Sequence, residues 1–263
     1  MSKTQEVVLA GLAAEVRGAP GERHPLVLIH GLASDRRQWE PLLGALEAVD
    51  PERHVLVIDL PGHGGSARRP SYRLDDVVNQ IHEAVTAAGL DAPVLVGHSI
   101  GGVIATAYAA RHPAAAVVNL DQPLLAGPFR DLLLREEATL RGPAYGEVWA
   151  RLLESMGVYR LPAAARELIS PMESARQDQL LGYWEELMTV PAEEHARSRT
   201  AEIEAIRSRG VAYHHVAASE LAPAYRNWLE TVLPQVDITV LDGGGHFPQL
   251  VHAEEVAEIV ASL

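Results

Sequence analysis

The chain has no cysteine, so disulfides and thiolate metal sites are excluded, and a stapled secreted scaffold is not what it encodes. A cytoplasmic location fits. No apolar run approaches the roughly 18 residues a membrane-crossing helix needs. The stretch Val7 to Ala14 is too short for one, is not followed by a small-residue cleavage site, and reads as a strand. Basic residues are scarce as well: 22 Lys and Arg against 35 Asp and Glu leave a formal charge of −13. That charge repels polyphosphate and anionic lipid, so neither nucleic acid nor a membrane surface is expected as a partner. There is no His-Glu-x-x-His run or comparable ligand spacing, and neither a metal nor another cofactor is expected. Internal repeats and low-complexity tracts are also missing, and the only linker-like stretch, Gly18 to Pro25, reads as a turn after an N-terminal hairpin.

What is present is a chain of 263 residues, 48% of them hydrophobic, enough for one main core with an insertion. Short, nearly continuous apolar runs recur at Leu26 to His30, His54 to Leu60, Pro93 to His98 and Ala115 to Leu120, the pattern of strands buried on both faces. Between them, Leu74 to Ala88 places Val77, Val78, Ile81 and Val85 at helical steps, and Asp35 to Leu46 reads as a further helix. Strand alternating with helix predicts a parallel sheet. The alternation stops at Pro123 and resumes only near residue 200, which divides the chain into an α/β core of residues 1–122 and 201–263 and a helical cap of residues 123–200. It then continues with a strand at Val211 to Ala217, a helix at Pro223 to Val232, a strand at Asp237 to Leu241 and a closing helix from Ala253 to Ser262.

The strand Pro93 to His98 runs into Gly97-His98-Ser99-Ile100-Gly101-Gly102 and then a helix, Val103 to Ala110. A serine hydroxyl lifted from a sharp strand-to-helix turn needs small neighbours, and Gly97 and Gly101 supply that room. The helix behind Ser99 points its positive end at the site, making the Ile100 amide a candidate oxyanion donor. A second donor is the Leu32 amide, after the strand ending in His30-Gly31. His246, in Asp242-Gly243-Gly244-Gly245-His246-Phe247-Pro248 after the last strand, is the candidate general base, because an imidazole can take and return a proton near neutral pH. Most of the twelve histidines fit surface or satisfied structural positions, whereas His30 and His98 belong to motif loops and shape the pocket.

In order, His30-Gly31, Asp59-Leu60-Pro61-Gly62-His63-Gly64-Gly65-Ser66, Gly97 to Gly102 and Gly245-His246 resemble the α/β-hydrolase superfamily over nearly the whole chain. The resemblance implies an eight-stranded, mostly parallel sheet flanked by helices, a nucleophile after the fifth strand, a helical cap after the sixth and the histidine after the eighth. It gives the Asp59 to Ser66 loop an ordering role. The common pattern puts an Asp after the seventh strand, and this chain departs from it. That strand leads into His214 to Pro223, where Glu220 is the carboxylate near the expected slot. The alternative, and the favoured acid, is Asp121 after the sixth strand, an arrangement similar to that of the fungal zearalenone lactonases. Asp121 could instead cap the start of the insertion, and Asp242 is the third possibility.

These residues imply a serine hydrolase without cofactors, cleaving a small, fairly apolar ester or lactone through an acyl-serine intermediate. Ser99, His246 and Asp121 or Glu220 would form the triad, and the Leu32 and Ile100 amides the oxyanion hole. The partner is a small-molecule substrate; neither its identity nor an oligomeric state is specified. Carbon–carbon bond hydrolases and cofactor-free haloperoxidases share such triads, and a small-molecule receptor on the same scaffold would differ by lacking turnover. Cap aromatics such as Trp149, Tyr183 and Trp184 are read first as packing residues.

Overall fold

The computed structural model describes residues 4–263. Eight strands form one sheet: β1 (Gln5–Leu9), β2 (Leu12–Arg17), β3 (Leu26–Ile29), β4 (Val55–Ile58), β5 (Val94–His98), β6 (Ala116–Leu120), β7 (Ala212–Ala217) and β8 (Asp237–Val240). Their spatial order is β1-β2-β4-β3-β5-β6-β7-β8, with β1, β2 and β4 paired antiparallel and every other pair parallel. Val7 to Ala14 is therefore not one strand. Ala10 and Gly11, both at positive φ, reverse the chain there, so Val7 pairs with Ala14 across a hairpin.

The central strands are almost wholly apolar, His98 and Asn119 being the polar residues of β5 and β6, because each side of the sheet is covered. Val27, Ile29, Leu56, Ile58, Leu95 and Val117 face one apolar cluster, while Leu26, Leu28, Val55, Val57, Val94, Val96 and Val118 face the other. The second face is closed by α1 (Glu40–Val49) and α12 (Ala253–Ala261), which bury Leu42, Leu46, Val256 and Val260. Where one helix was expected over Asp35 to Leu46, a 3-10 turn, Arg36–Trp39, precedes α1. The Asp35 side chain caps that tighter turn, and Pro41 sits in the first turn of α1, where its missing N–H costs no helical bond.

The first face carries α2 (Leu74–Ala87) and α3 (Ile100–Arg111). Buried on nearly every side, α3 covers mostly small residues, Gly101, Gly102, Ala105, Thr106, Ala107 and Ala109, together with Ile104 and Tyr108, and it packs against β5 and β6. After β6 the chain leaves the sheet through α4 (Gly127–Arg135), α5 (Glu137–Arg141), α6 (Tyr145–Ser155), α7 (Ala163–Leu168), α8 (Gln177–Thr189) and α9 (Ala192–Ser208). Residue 200 lies inside α9, which runs on to the start of β7. The remaining helices are α10 (Pro223–Val232) and the short α11 (Pro248–Val251).

Strand order places the site. Neighbours in the sheet, β3 and β5 are not consecutive in sequence, so the connections leaving them diverge and open a crevice beyond their carboxyl ends. Among the described residues no helix is long and apolar enough to cross a membrane, and no three His, Cys, Asp or Glu side chains cluster as a metal site.

Candidate active site

Ser99 stands between β5 and α3 with φ 52° and ψ −126°, a conformation that costs a residue with a side chain roughly 1–3 kcal/mol. The α-helix starts at Ile100, three residues before the sequence-predicted Val103, because Ser99 is itself the turn. Two glycines make the turn possible. A Cβ at Gly97 would strike the Gly101 carbonyl, and one at Gly101 would strike the carbonyl of Ile29 on β3. A Cβ at Gly31 would come to 3.3 Å from Ser99 Cβ, so the turn after β3 lies beside the serine.

That turn is held by two buried histidines. Leu60 N–H donates to His30 Nε2 at 2.9 Å, and His30 Nδ1–H donates to Gly31 O at 2.7 Å. Ala33 N–H donates to His63 Nε2 at 3.0 Å, and His63 Nδ1–H donates to Pro61 O at 3.0 Å. Burial holds both imidazoles below the usual histidine pKa, His63 well below, so they act as neutral struts between the two loops. Asp59 completes the tie by accepting from the Arg36 and Gly65 amides and from the Arg36 guanidinium. The Leu32 and Ile100 amides have no protein acceptor among the described residues, and both flank Ser99, one through the Gly31 turn and one through the chain itself.

Asp121 follows β6 directly and also has a positive φ, 54°. Its amide donates to Val216 O at 2.7 Å, and its carboxylate faces two ways. Oδ1 accepts from Ala218 N–H at 2.8 Å, and Oδ2 accepts from His246 Nδ1–H at 2.8 Å. Burial works to raise the carboxyl pKa, but the hydrogen bond and charge of His246 and the Ala218 amide outweigh it, leaving Asp121 below the ordinary value. With Nδ1–H given to Asp121, the imidazole keeps its lone pair on Nε2. No hydrogen bond joins Ser99 Oγ to His246 among the described residues.

The other two carboxylates lie elsewhere. Glu220 is 79% exposed and points to Arg226 at 3.6 Å. Asp242 is exposed, and its backbone carbonyl accepts from His252 Nε2 at 2.9 Å. Among the described residues neither makes a hydrogen bond or ion pair with His246. Sequence reasoning missed Ala218, whose amide steadies the carboxylate, since nothing in a main-chain donor is visible in residue type.

The helical insertion docks on the Asp59 to Ser66 loop. From α8, Tyr183 O–H donates to Pro61 O at 3.0 Å and Gln179 Nε2–H to Gly62 O at 3.2 Å, while Tyr183 stacks on Tyr72 at 4.9 Å. Trp149 and Trp184 pack within the insertion at 6.0 Å, as packing residues would, and Trp149 Nε1–H donates to Met172 O. A second contact reaches His246, whose N–H donates to Met156 O, just after α6, at 3.2 Å. A groove of about 670 Å³ between α7 and the turn before α1 is lined by Arg37, Glu40, Leu168 and Leu250 and includes none of Ser99, Asp121 or His246.

Comparison with known proteins places the fold. The chain is 35% identical over 101 residues to the monoacylglycerol lipase abhd6-B of Xenopus laevis, a match covering 37% of this chain and 29% of that lipase. Among solved structures, the enol-lactonase of Burkholderia xenovorans LB400 superposes with a TM-score of 0.75 at 18% identity, covering 98% of each chain. AqDC, whose structure concerns recognition and ring-cleavage of the Pseudomonas quinolone signal, superposes at 0.76 with 20% identity, covering 99% of this chain and 100% of its own. At such identities the likeness is one of fold. Residues 26–259 match the profile of the Alpha/beta hydrolase family, and to that family this chain belongs.

Proposed function

We propose that the chain is a serine hydrolase that opens a carboxylic ester or lactone of a small, fairly apolar substrate. Ser99 Oγ attacks the acyl carbon while His246 Nε2 takes its proton, and Asp121 stabilises the resulting imidazolium. The Leu32 and Ile100 amides receive the charge on the carbonyl oxygen. His246 returns the proton to the departing alkoxide, and water, activated by the same imidazole, then releases the acid. A neutral substrate fits a sequence whose motif loops carry no evident cationic clamp, and a cytoplasmic setting is compatible with the cysteine-free composition. The observation that carries this proposal is the 2.8 Å contact of His246 with Asp121 beside a serine held at positive φ.

A second activity, cleavage of a carbon–carbon bond, is favoured by one feature. Among the described residues His246 is hydrogen-bonded by Asp121 and not by Ser99, an arrangement that also suits proton transfer between Nε2 and the substrate itself. The ring-cleaving AqDC has the same fold.

Hydrolysis of a short-chain p-nitrophenyl ester series, with fluorophosphonate labelling, separates the possibilities. Turnover and labelling by the wild type, both absent in Ser99→Ala, support the acyl-serine route. Labelling without ester turnover directs attention to carbon–carbon substrates. Neither labelling nor turnover rejects Ser99 as nucleophile and leaves a ligand-binding role to test.

A further inference from the structure

His98 closes β5, one peptide bond before Ser99, and only 1% of it is exposed. Its Nε2–H donates to the main-chain carbonyl of His246 at 2.7 Å, and its ring lies 4.9 Å from that of His246 and 5.3 Å from that of Phe247. On the opposite side is Gly31, where a Cβ would come to 2.8 Å from His98 Nδ1. One imidazole thus touches the loop of the base and the turn of the candidate oxyanion donor, and is covalently next to the nucleophile.

His246 has three anchors. Asp121 holds its ring, Met156 of the insertion holds its amide, and His98 holds its carbonyl. Two of these come from segments remote from Ser99 in sequence, whereas His98 joins the base to the nucleophile's own turn. An apolar ring could fill the space against Phe247 without desolvating two nitrogens, and Nδ1 of His98 has no partner among the described residues, so burying imidazole here is costly. What imidazole adds over hydrocarbon is the donor to His246 O.

We infer that His98 is a positioning residue for His246: through this hydrogen bond it sets where the base stands relative to Ser99. The inference rests on the serine-hydrolase proposal for its effect on turnover, though not for its effect on His246. Burial, aided by the nearby His246, pushes the His98 pKa down to about 3, against the hydrogen bond to the His246 carbonyl, so the ring stays neutral at neutral pH and Nε2 keeps its proton. The contact is a fixed brace.

The test compares His98→Gln, whose side-chain amide can still donate, with His98→Phe and His98→Leu, which fill space without a donor. Two readouts are taken: kcat and KM on the best ester found, and the titration of the His246 ring followed by NMR, which needs no substrate. The expected result is near-wild-type kcat for Gln and a loss of about 100-fold in kcat with KM little changed for Phe and Leu, the scale of a misplaced catalytic group. The His246 titration should move in the apolar variants and stay in place in Gln. Equal behaviour of Gln and Phe in the titration would overturn the inference. So would unfolding of both apolar variants with Gln folded, since the bond would then serve the fold and not the base. If the wild type hydrolyses no ester, the hydrolase proposal fails by itself and the NMR comparison still decides the role of His98.

Discussion

Asp121 Oδ2 and His246 Nδ1 stand 2.8 Å apart although 125 residues separate them in the chain. The carboxylate reaches the imidazole because its other oxygen is pinned by Ala218 N–H, so neither oxygen is free to rotate away. A substitution at Asp121 therefore acts on His246, while one at Glu220, exposed and facing Arg226, acts on the surface. Asp121→Asn should lower kcat by roughly 10⁴-fold, the scale seen when the orienting carboxylate of a triad becomes an amide. Glu220→Gln should stay within about twofold, as an exposed ion pair contributes little. Steady-state kinetics on one ester checks both, and a reversed ranking removes Asp121 from the site.

Stability should fall on mild acidification. Burial lowers the pKa values of His30, His63, His98 and His215, with His98 near 3 and His215 near 4. Each takes up a proton at 6.5 in the unfolded chain but not in the folded one, so the unfolded state binds more protons below that pH. The stability these groups contribute is complete above 6.5 and is lost as pH falls toward their folded values. Urea melts between pH 7 and pH 4 should show it. Replacing one of them, as in His98→Gln, should flatten the slope by up to about 1.4 kcal/mol per pH unit; an unchanged slope would mean that the ring is already charged or already accessible.

The turn at Ser99 depends on absent methyl groups. In Gly101→Ala the new Cβ meets the Ile29 carbonyl, a backbone atom that cannot step aside. A loss of about 1–3 kcal/mol or more in a denaturant melt is expected, together with loss of fluorophosphonate labelling at Ser99. Gly44→Ala, exposed inside α1 where a Cβ meets nothing within 4 Å, is the control and should keep stability or raise it by up to about 1 kcal/mol, since alanine suits a helix interior better than glycine.

Docking of the insertion on the loop of Pro61 and Gly62 should appear in KM. Tyr183→Phe deletes the hydrogen bond to Pro61 O and leaves that buried carbonyl without this donor, while the stacking on Tyr72 is kept. The expected cost is about 1 kcal/mol in stability, with a rise in KM larger than the fall in kcat. An unaltered KM would place substrate contacts away from α8.

The strands from β3 onward were legible because they are short apolar runs separated by helical periodicity, and a strand covered on both faces has few other sequences open to it, while the count of eight came with the family resemblance. The insertion was legible by the loss of that alternation. Less visible was the hairpin at Ala10-Gly11, hidden in an unbroken apolar stretch where two small residues at positive φ do the turning. The 3-10 start before α1 was hidden too, since it follows from a single Asp35 cap.

The site divides along the same line. Ser99 and its glycines form a local turn, and a local turn is written in consecutive residues, which is why sequence alone determined it along with the order of the loops around it. Which carboxylate meets His246 was decided only in three dimensions. Asp121 and Glu220 each follow a strand that ends at the same edge of the sheet, and residue type does not separate them. The positive φ of Asp121 and the register of β6 against β7 bring the Asp121 carboxylate beneath the Ala218 amide, whereas Glu220 continues outward to solvent. The same holds for the bond from His98 to His246 O, because a main-chain carbonyl carries no mark in the sequence and only packing brings it within reach.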